Sequence, residues 1–330
     1  GGSGTDTLRF ASEVSGTLTL SGNRLTFGGV TTEYTGIQNL EVVIKQGTEK
    51  KGTVNVTGEL AFTGNVILEA KTINVSAAIT ADNLSLTMEN LLVIGQDLDV
   101  SNGAGDVVIL TADQIRIAAD AGIGSPAQPI YIQPKDATNV QKFEAVTQGA
   151  AGIYVTAIRD LEIGNVDIAG ITDMSDMNAG LYTGSGGAIS LTGLSGGIQI
   201  SEMINATGGD ITITTEAIDI LANVRSWNGG PTDPRGRLLL QPLTVTRSIG
   251  IAGATGEFNI SSSELDWIID GFDDITIGRA DGMHHIIIGS YLFRDSVTFN
   301  SPVLGGSIFV PGKITTTTAD VYVILNGPSA

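Results

Sequence analysis

One short segment contains Asp270, Asp273 and Asp274, and Asp281 follows shortly after. This acidic cluster is a candidate metal-binding site. Carboxylate oxygens are the ligands that calcium prefers, so a loop that brought these residues together would form a hard oxygen site. The other interpretation is a solvated acidic loop beside the end of a helix, in which each carboxylate faces water. We favour the solvated loop and keep Asp270, Asp273 and Asp274 as calcium candidates.

The remaining reactive side chains give weaker patterns. Asp173 and Asp176 lie in a loop, at a spacing too loose for an EF-hand. His284 and His285 are adjacent, so on a strand they point to opposite faces and cannot easily share a metal; we predict ordinary strand-edge residues. The chain has no cysteine, which excludes disulfides and thiolate metal sites.

The elements that would hold these residues are very short. Apolar-any-apolar triplets bounded by Gly, Asn, Asp, Ser or Thr recur along almost the whole chain. The triplets are Val54–Val56, Ile73–Val75, Leu84–Leu86, Leu98–Val100, Ile115–Ile117, Leu161–Ile163, Val166–Ile168, Ile189–Leu191, Ile198–Ile200, Ile211–Ile213, Ile218–Ile220, Ile275–Ile277 and Ile286–Ile288. A triplet places two side chains on one face of a strand and one on the other.

Such triplets suffice for a sheet when each stacks on an equivalent one a coil away. The pattern therefore predicts an all-β fold, a parallel β-helix (β-solenoid), with equivalent strands every ~20–27 residues and a length on the order of 70 Å. An antiparallel sandwich is the competing fold, but its strands average about five to six residues.

Two regions are expected along the chain. Residues 1–51 form an N-terminal β segment continuous with the solenoid, and residues 52–330 form the parallel β-helix. Within the first region, Ser21-Gly22-Asn23 signals a hairpin or a coil corner between two strand-like triplets. Loop excursions are predicted at 134–152, 170–187 and 227–234, and a short helix at 263–270, capped by serine and ended by Gly271. Neither terminus shows a helical cap.

Composition narrows the class of function. The chain has 17 basic and 35 acidic residues, a net charge of −18, and 42% apolar residues of which few are aromatic. An acidic surface of this kind repels nucleic-acid phosphates and anionic lipids, so we expect no nucleic-acid partner and no membrane insertion. The first residue is Gly1, which suggests a processed or excised start with any export signal outside this sequence.

An enzyme on this fold would need a ladder of acids or acid–base pairs at one position of successive coils. The acids here fall mostly in loops, and Gly184–Gly187 lacks the Lys-Ser/Thr of a phosphate loop. We therefore expect no enzymatic activity and no cofactor, with calcium the one candidate ligand. The alternative is a carbohydrate-binding or carbohydrate-active β-helix, with scattered aromatic residues for stacking on sugars: Tyr131, Tyr154, Tyr182, Trp227, Trp267 and Tyr291.

Several stretches resemble the filamentous-haemagglutinin-like β-helix segments of giant secreted bacterial surface proteins. They are Gly208–Thr215, Arg237–Leu243 and, most clearly, Arg247–Gly253 through Phe258–Ser261 to Ile275–Arg279. The resemblance covers residues 52–330 and implies a secreted, extracellular protein of the bacterial cell surface or matrix. The roles it implies are adhesion, fibre building and display of other modules at a distance.

The first residues resemble a different family, the RTX calcium nonapeptide. Gly1, Gly2, Gly4, Asp6 and Leu8 match its positions, and the resemblance implies that Asp6 would hold calcium. The pattern is not repeated between Phe10 and Leu18, and such a site needs adjacent turns to be complete.

Together these features predict a structural subunit or segment of a cell-surface fibre or adhesin. Because neither end is visibly capped, the expected partner is the protein itself, by strand-edge stacking end to end into a filament. Surface glycans or matrix are further expected partners.

Overall fold

A computed structural model of the chain describes residues 5–90, 109–169, 180–184, 186–227, 230, 233–318 and 320–328. It is nearly all-β, with 49% strand and 2% helix, and its long sheets are parallel. The predicted fold class, an all-β parallel β-helix, is confirmed. The chain divides into two compact units, Gly1–Thr156 with Val166–Ser175, and Ala157–Asn165 with Asp176–Ala330.

The strands of the first unit are short. They are β1 (Thr7–Ser12), β2 (Thr17–Ser21), β3 (Arg24–Phe27), β4 (Val30–Glu33), β5 (Asn39–Gln46), β6 (Glu49–Lys50), β7 (Thr53–Val56), β8 (Leu60–Ala61), β9 (Asn65–Glu69), β10 (Thr72–Val75), β11 (Ile79–Thr80), β12 (Asn83–Met88), β13 (Ile109–Thr111), β14 (Gln114–Ala119), β15 (Ile130–Gln133), β16 (Gln141–Thr147) and β17 (Ile153–Ala157), whose last residue belongs to the second unit.

These strands build three sheets, to which the chain contributes in rotation. One parallel sheet runs β1-β5-β9-β12-β14-β16, a second contains β10-β7-β2, and a third runs β15-β13-β11-β8. Equivalent residues recur after 18 residues between Asn65 and Asn83 and after 31 between Asn83 and Gln114. The longer interval belongs to the coil that contains residues 91–108, outside the described part of the chain.

Two apolar stacks form the core of the first sheet. Strand register aligns the core-facing residues of β5, β9, β12, β14 and β16, and these are essentially inaccessible to water. The stacks are Leu40–Val66–Leu84–Ile115–Phe143 and Val42–Leu68–Leu86–Ile117–Ala145. Burial of each of these side chains other than Ala145 stabilises the fold by about 1.5–3 kcal/mol.

An amide ladder runs along the edge of the same sheet. Asn83 Nδ2 donates to Asn65 Oδ1 at 2.8 Å, and Gln114 Nε2 donates to Asn83 Oδ1 at 3.0 Å. Asn65 N–H in turn donates to Asn39 Oδ1 at 2.7 Å. Each amide thus satisfies its neighbour one coil away, which fixes the strand register as the apolar stacks do.

The second unit continues the same pattern of short parallel strands. They are β18 (Leu161–Ile163), β19 (Leu181–Thr183), β20 (Ile189–Gly193), β21 (Gly197–Ile200), β22 (Ile204–Asn205), β23 (Ile211–Thr214), β24 (Ala217–Ile220), β25 (Val224–Arg225), β26 (Leu238–Gln241), β27 (Ile249–Ile251), β28 (Phe258–Ile260), β29 (Ile275–Gly278), β30 (His285–Ile288), β31 (Tyr291–Phe293), β32 (Val297–Asn300), β33 (Ser307–Phe309), β34 (Ile314–Thr316) and β35 (Val323–Asn326).

The longest sheet of this unit runs β20-β23-β26-β29-β32-β35, and every pair of neighbours is parallel. Shorter parallel sheets are β18-β21-β24, β19-β22-β25, β28-β27-β30-β33 and β31-β34. Two core stacks cross the longest sheet: Ile189–Ile211–Leu238–Ile275–Val297–Val323 and Leu191–Ile213–Leu240–Ile277–Phe299–Leu325.

Helix α1 (Ser262–Asp266) is the one helix of the described residues. Ser261 caps it, accepting from Glu264 N–H while the Glu264 carboxylate accepts from Ser261 N–H, a complete capping box. The predicted serine cap is thus confirmed. The prediction that the helix extends to Asp270 is wrong: α1 ends at Asp266, the last local hydrogen bond runs from Ile268 N–H to the carbonyl of Leu265, and Ile269 N–H instead bonds the carbonyl of Val224.

Two other local predictions are wrong. The loop predicted at 134–152 is interrupted by β16, whose Lys142–Val146 lie in register with β14, so seven of its nineteen residues belong to the sheet and the others form turns and irregular structure. The triplet Val166–Ile168 is not a strand. Its main chain bonds side chains instead, with Val166 N–H donating to Glu144 Oε1 at 3.0 Å and Asp167 N–H to Gln114 Oε1 at 2.7 Å.

The loops predicted at 170–187 and 227–234 are only partly described. Within the first, Leu181–Thr183 forms β19, so that part is a strand. Asp173 and Asp176, with their neighbouring methionines, lie outside the described residues, as does the triplet Leu98–Val100.

Candidate functional site

The structure separates the predicted calcium ligands from one another. Asp274 accepts from its neighbour Thr276 Oγ1 at 2.9 Å and from Thr298 Oγ1 at 3.4 Å, along the outer face of β29 and β32. Asp273 is exposed, and its N–H bonds the carbonyl of Gly236 at 3.0 Å. Asp281 forms a two-pronged ion pair with Arg279, at 2.8 and 3.0 Å, which lowers its pKa.

Asp6 lies apart from these residues. It is exposed, and its carbonyl accepts from the N–H groups of Gln38 and Asn39, both at 3.1 Å. The glycines that carry the RTX resemblance, Gly1, Gly2 and Gly4, are outside the described part of the chain. Within the residues that the structure does describe, no three acids or histidines lie close enough to hold a metal ion. Calcium binding by Asp6, Asp270, Asp273 or Asp274 stays a prediction.

The sequence did not single out Asp295, the buried partner of Asp270. Its side chain is 7% exposed and accepts the Gly271 N–H at both carboxylate oxygens, 3.0 Å each. Burial and a hydrogen bond with the Asp270 carboxyl raise the pKa of Asp295 to about 6, while the Gly271 and Phe272 amides act in the opposite direction. The hydrogen bonds from Gly271 N–H connect Asp295 to a loop that lies 24 residues earlier in the chain.

The two histidines occupy different environments. His284 is fully buried, and its Nδ1 lies 2.8 Å from the carbonyl oxygen of Arg247. Burial lowers its pKa, so the neutral form is favoured. His285 is exposed, with Nδ1 2.8 Å from Ser307 Oγ. The two histidines do not form one site, which agrees with the sequence-based expectation. The burial of His284, however, was not expected of a strand-edge residue.

Two surface hollows bear on the carbohydrate alternative. A groove of about 300 Å³ crosses the outer face of β23, β26 and β29, bordered by Asp210 and Arg237 on one side and Gln241 and Asn300 on the other. None of its lining residues is aromatic. A hollow of about 410 Å³ in the first unit contains the stacked pair Tyr34 and Phe62, whose ring centroids lie 6.1 Å apart, but Glu59 is its single acid.

The N-terminal edge of the first unit carries a β-hairpin cap. Strand β2 pairs antiparallel with β3, and β3 pairs antiparallel with β4, so the free edge of β2 is occupied. The turn is the predicted one, with Gly22 at φ 57°. Phe27 packs on Phe10 of β1 at 5.0 Å between ring centroids, and Arg24 forms an ion pair with Glu33 at 2.8 Å on the hairpin.

The C-terminal coil, defined as β33, β34 and β35, presents a different edge. Each of these strands is the last in its sheet, with no further strand beside it among the described residues. Leu325 is 48% exposed, whereas Phe299 and Leu240 in the same core stack are 0% exposed. The hydrophobic core is therefore open at this coil.

The exposed apolar side chains concentrate in the same region. Of fourteen large apolar side chains that are exposed in the described residues, seven fall between 292 and 325: Leu292, Val303, Leu304, Phe309, Tyr322, Ile324 and Leu325. Contiguous exposed apolar surface is uncommon on monomeric proteins and marks interaction sites.

Fold and surface together define a class, the parallel β-solenoid proteins. Among the described residues, the sheets of the first unit end at β1, β8 and the hairpin-covered β2, and those of the C-terminal coil end at the uncovered β33, β34 and β35. Comparison with protein-family models, curated proteins and solved structures finds no significant match to this chain. In the part of the chain that the structure describes, no helix is both long and apolar enough to cross a bilayer.

Proposed function

We propose that this protein is a structural β-solenoid module of a secreted bacterial surface fibre or adhesin, which associates with other copies through its sheet edges. The observation that carries the proposal is the open coil at β33–β35, where core-facing Leu325 and three strand edges meet solvent. An edge strand leaves every second main-chain N–H and C=O without a strand partner, and such edges pair with other strands unless they are protected.

Three further features support a structural role. The stacks and the amide ladder use the side chains of successive coils for mutual packing, which is how solenoids obtain stability from neighbouring repeats. The side chains of Asp274 and Asp281 bond neighbouring residues. Neither hollow combines paired acids with aromatic rings, because the groove on β23, β26 and β29 has no aromatic residue and the Tyr34–Phe62 hollow has one acid. The extracellular bacterial setting rests on the resemblance to filamentous-haemagglutinin-like segments.

Sedimentation velocity and negative-stain electron microscopy of the purified chain test the proposal. We expect assemblies larger than one chain to increase with protein concentration. Particles of monomer mass at every concentration, up to the solubility limit, would refute association as the function. Hydrolysis of a panel of acidic and neutral glycans, or their saturable binding, would instead favour the carbohydrate alternative.

A further inference from the structure

The C-terminal coil is the surface of the second unit from which two copies can join with the least electrostatic cost. Residues 297–328 carry one basic residue, Lys313, and one acidic residue, Asp320, so this stretch is neutral in a chain of net charge −18. Like charges repel at close approach, and two highly acidic molecules can therefore meet most readily at a neutral, apolar surface.

Net charge does not distinguish the C-terminal coil from the N-terminal sheet edges. Residues 1–51 carry five basic and five acidic side chains and are neutral as well. The protection of the edges differs between the two ends. In the first unit, β3 and β4 cover the edge of β2 and display the exposed Arg24–Glu33 ion pair. The other two end strands there are β1, which carries the exposed Arg9 paired with Glu41, and β8, which has only two residues. Charged residues on an outer strand are a common protection against edge-to-edge pairing, and the C-terminal coil has no such protection.

We propose that the occupant of the C-terminal coil is the same coil of a second copy, joined about a two-fold axis. In such a contact each β35 pairs antiparallel with its equivalent, so its outward main-chain groups are satisfied. Ile324, Leu325 and Tyr322 of both copies are then removed from water. Because the same surface serves both partners, the contact closes after two copies and gives a dimer, whereas a head-to-tail contact would give an open filament.

This inference rests on the proposed function, since it names the partner and symmetry of the same association. The two are separable by experiment because association through other edges would preserve the function and contradict the dimer. The chain contains no cysteine, so a single introduced thiol reports one position without interference.

The test uses three full-length variants and a short, flexible bis-maleimide cross-linker. Ile324→Cys places a thiol on β35, where the native side chain is 51% exposed, and Val30→Cys places one on β4, where it is 68% exposed. The third variant carries both. We expect covalent dimers as the main product of Ile324→Cys, monomers from Val30→Cys, and dimers without higher species from the double variant.

Each other outcome overturns the dimer. A ladder of trimers and larger species from the double variant would show head-to-tail stacking, which keeps the proposed function and rejects the two-fold contact. Equal cross-linking of Val30→Cys and Ile324→Cys would reject the choice of edge. Monomers from all variants, together with monomer mass in solution, would reject both proposals.

A substitution without cross-linking gives independent support. Ile324→Lys faces solvent in the single chain, so folding is expected to be preserved, but it opposes two ammonium groups across the two-fold contact. We expect the dimer dissociation constant to rise at least about tenfold. The matched control, Val30→Lys on the hairpin, should leave it unchanged.

Discussion

The open core at the C-terminal coil predicts unequal costs for two identical substitutions in one stack. Leu240 and Leu325 belong to the same core stack and are separated in it by Ile277 and Phe299. Leu240 is 0% exposed and has a rung on each side, so Leu240→Ala loses transfer free energy and leaves a cavity, at a cost of about 3 kcal/mol within a range of about 2–5.

Leu325 has a stacked neighbour, Phe299, on one side only. With 48% of its surface already exposed, truncation loses about half of a Leu transfer free energy and creates no enclosed cavity, so we expect about 1 kcal/mol. The predicted difference in unfolding free energy between Leu240→Ala and Leu325→Ala is therefore about 2 kcal/mol.

Urea titration measures this difference, followed by tryptophan fluorescence and far-UV circular dichroism. Protein concentration must be low enough for the chain to be monomeric, because association would add stability through Leu325. Solenoid arrays can lose cooperativity, so the free energies are compared only if both probes give coincident transitions. Equal losses for the two variants, or a larger loss for Leu325→Ala, would contradict the open core.

Three further outcomes are expected. Burial and Asp270 raise the pKa of Asp295 to about 6, above the ~3.9 of an unfolded chain. The neutral carboxyl group therefore contributes its full stability to the fold below about pH 4. This contribution is lost as the pH rises through about 6. Asp295→Asn keeps an acceptor for Gly271 and should gain about 2–3 kcal/mol over the native chain at pH 8 but nothing at pH 3.5, by denaturant midpoints. Gly236→Ala should destabilise by at least about 2 kcal/mol in the same assay, since its Cβ would lie 1.9 Å from the carbonyl oxygen of Gly209, whereas Gly327→Ala meets nothing closer than 3.9 Å and should be neutral. Millimolar calcium should leave the melting temperature unchanged, and an upward shift reversed by chelator would support the acidic-loop site.

Much of the fold could be predicted because the solenoid is encoded locally. Of the thirteen triplets, eleven lie in strands, one is outside the described residues, and Val166–Ile168 is the exception. That triplet has the right pattern, but side-chain acceptors of β14 and β16 take its amides. Conversely, β16 escaped prediction because its core positions are Phe143 and Ala145, which do not match the triplets of Ile, Val and Leu, and its register with β14 is a long-range feature.

The site was harder to predict because its features arise from contacts between distant segments. Asp295 has no local signal, and its burial comes from the Gly271 amide, 24 residues away. The hairpin turn at Gly22 was evident from sequence, but its role in covering the edge of β2 depends on pairing of β2 with β7 on the opposite side. The exposure of the core at the C-terminal coil likewise becomes evident only from the last residue of each core stack, such as Leu325.

The central claim is that the C-terminal coil joins two copies of this protein in a closed dimer. Its most direct test is the weight-average mass of the intact chain across protein concentration, measured by light scattering for the native protein and for Ile324→Lys. The account predicts a native mass that rises from one chain to two and then stops, and a variant that remains monomeric over the same range. A native mass of one chain throughout, or one that rises without limit, would contradict it.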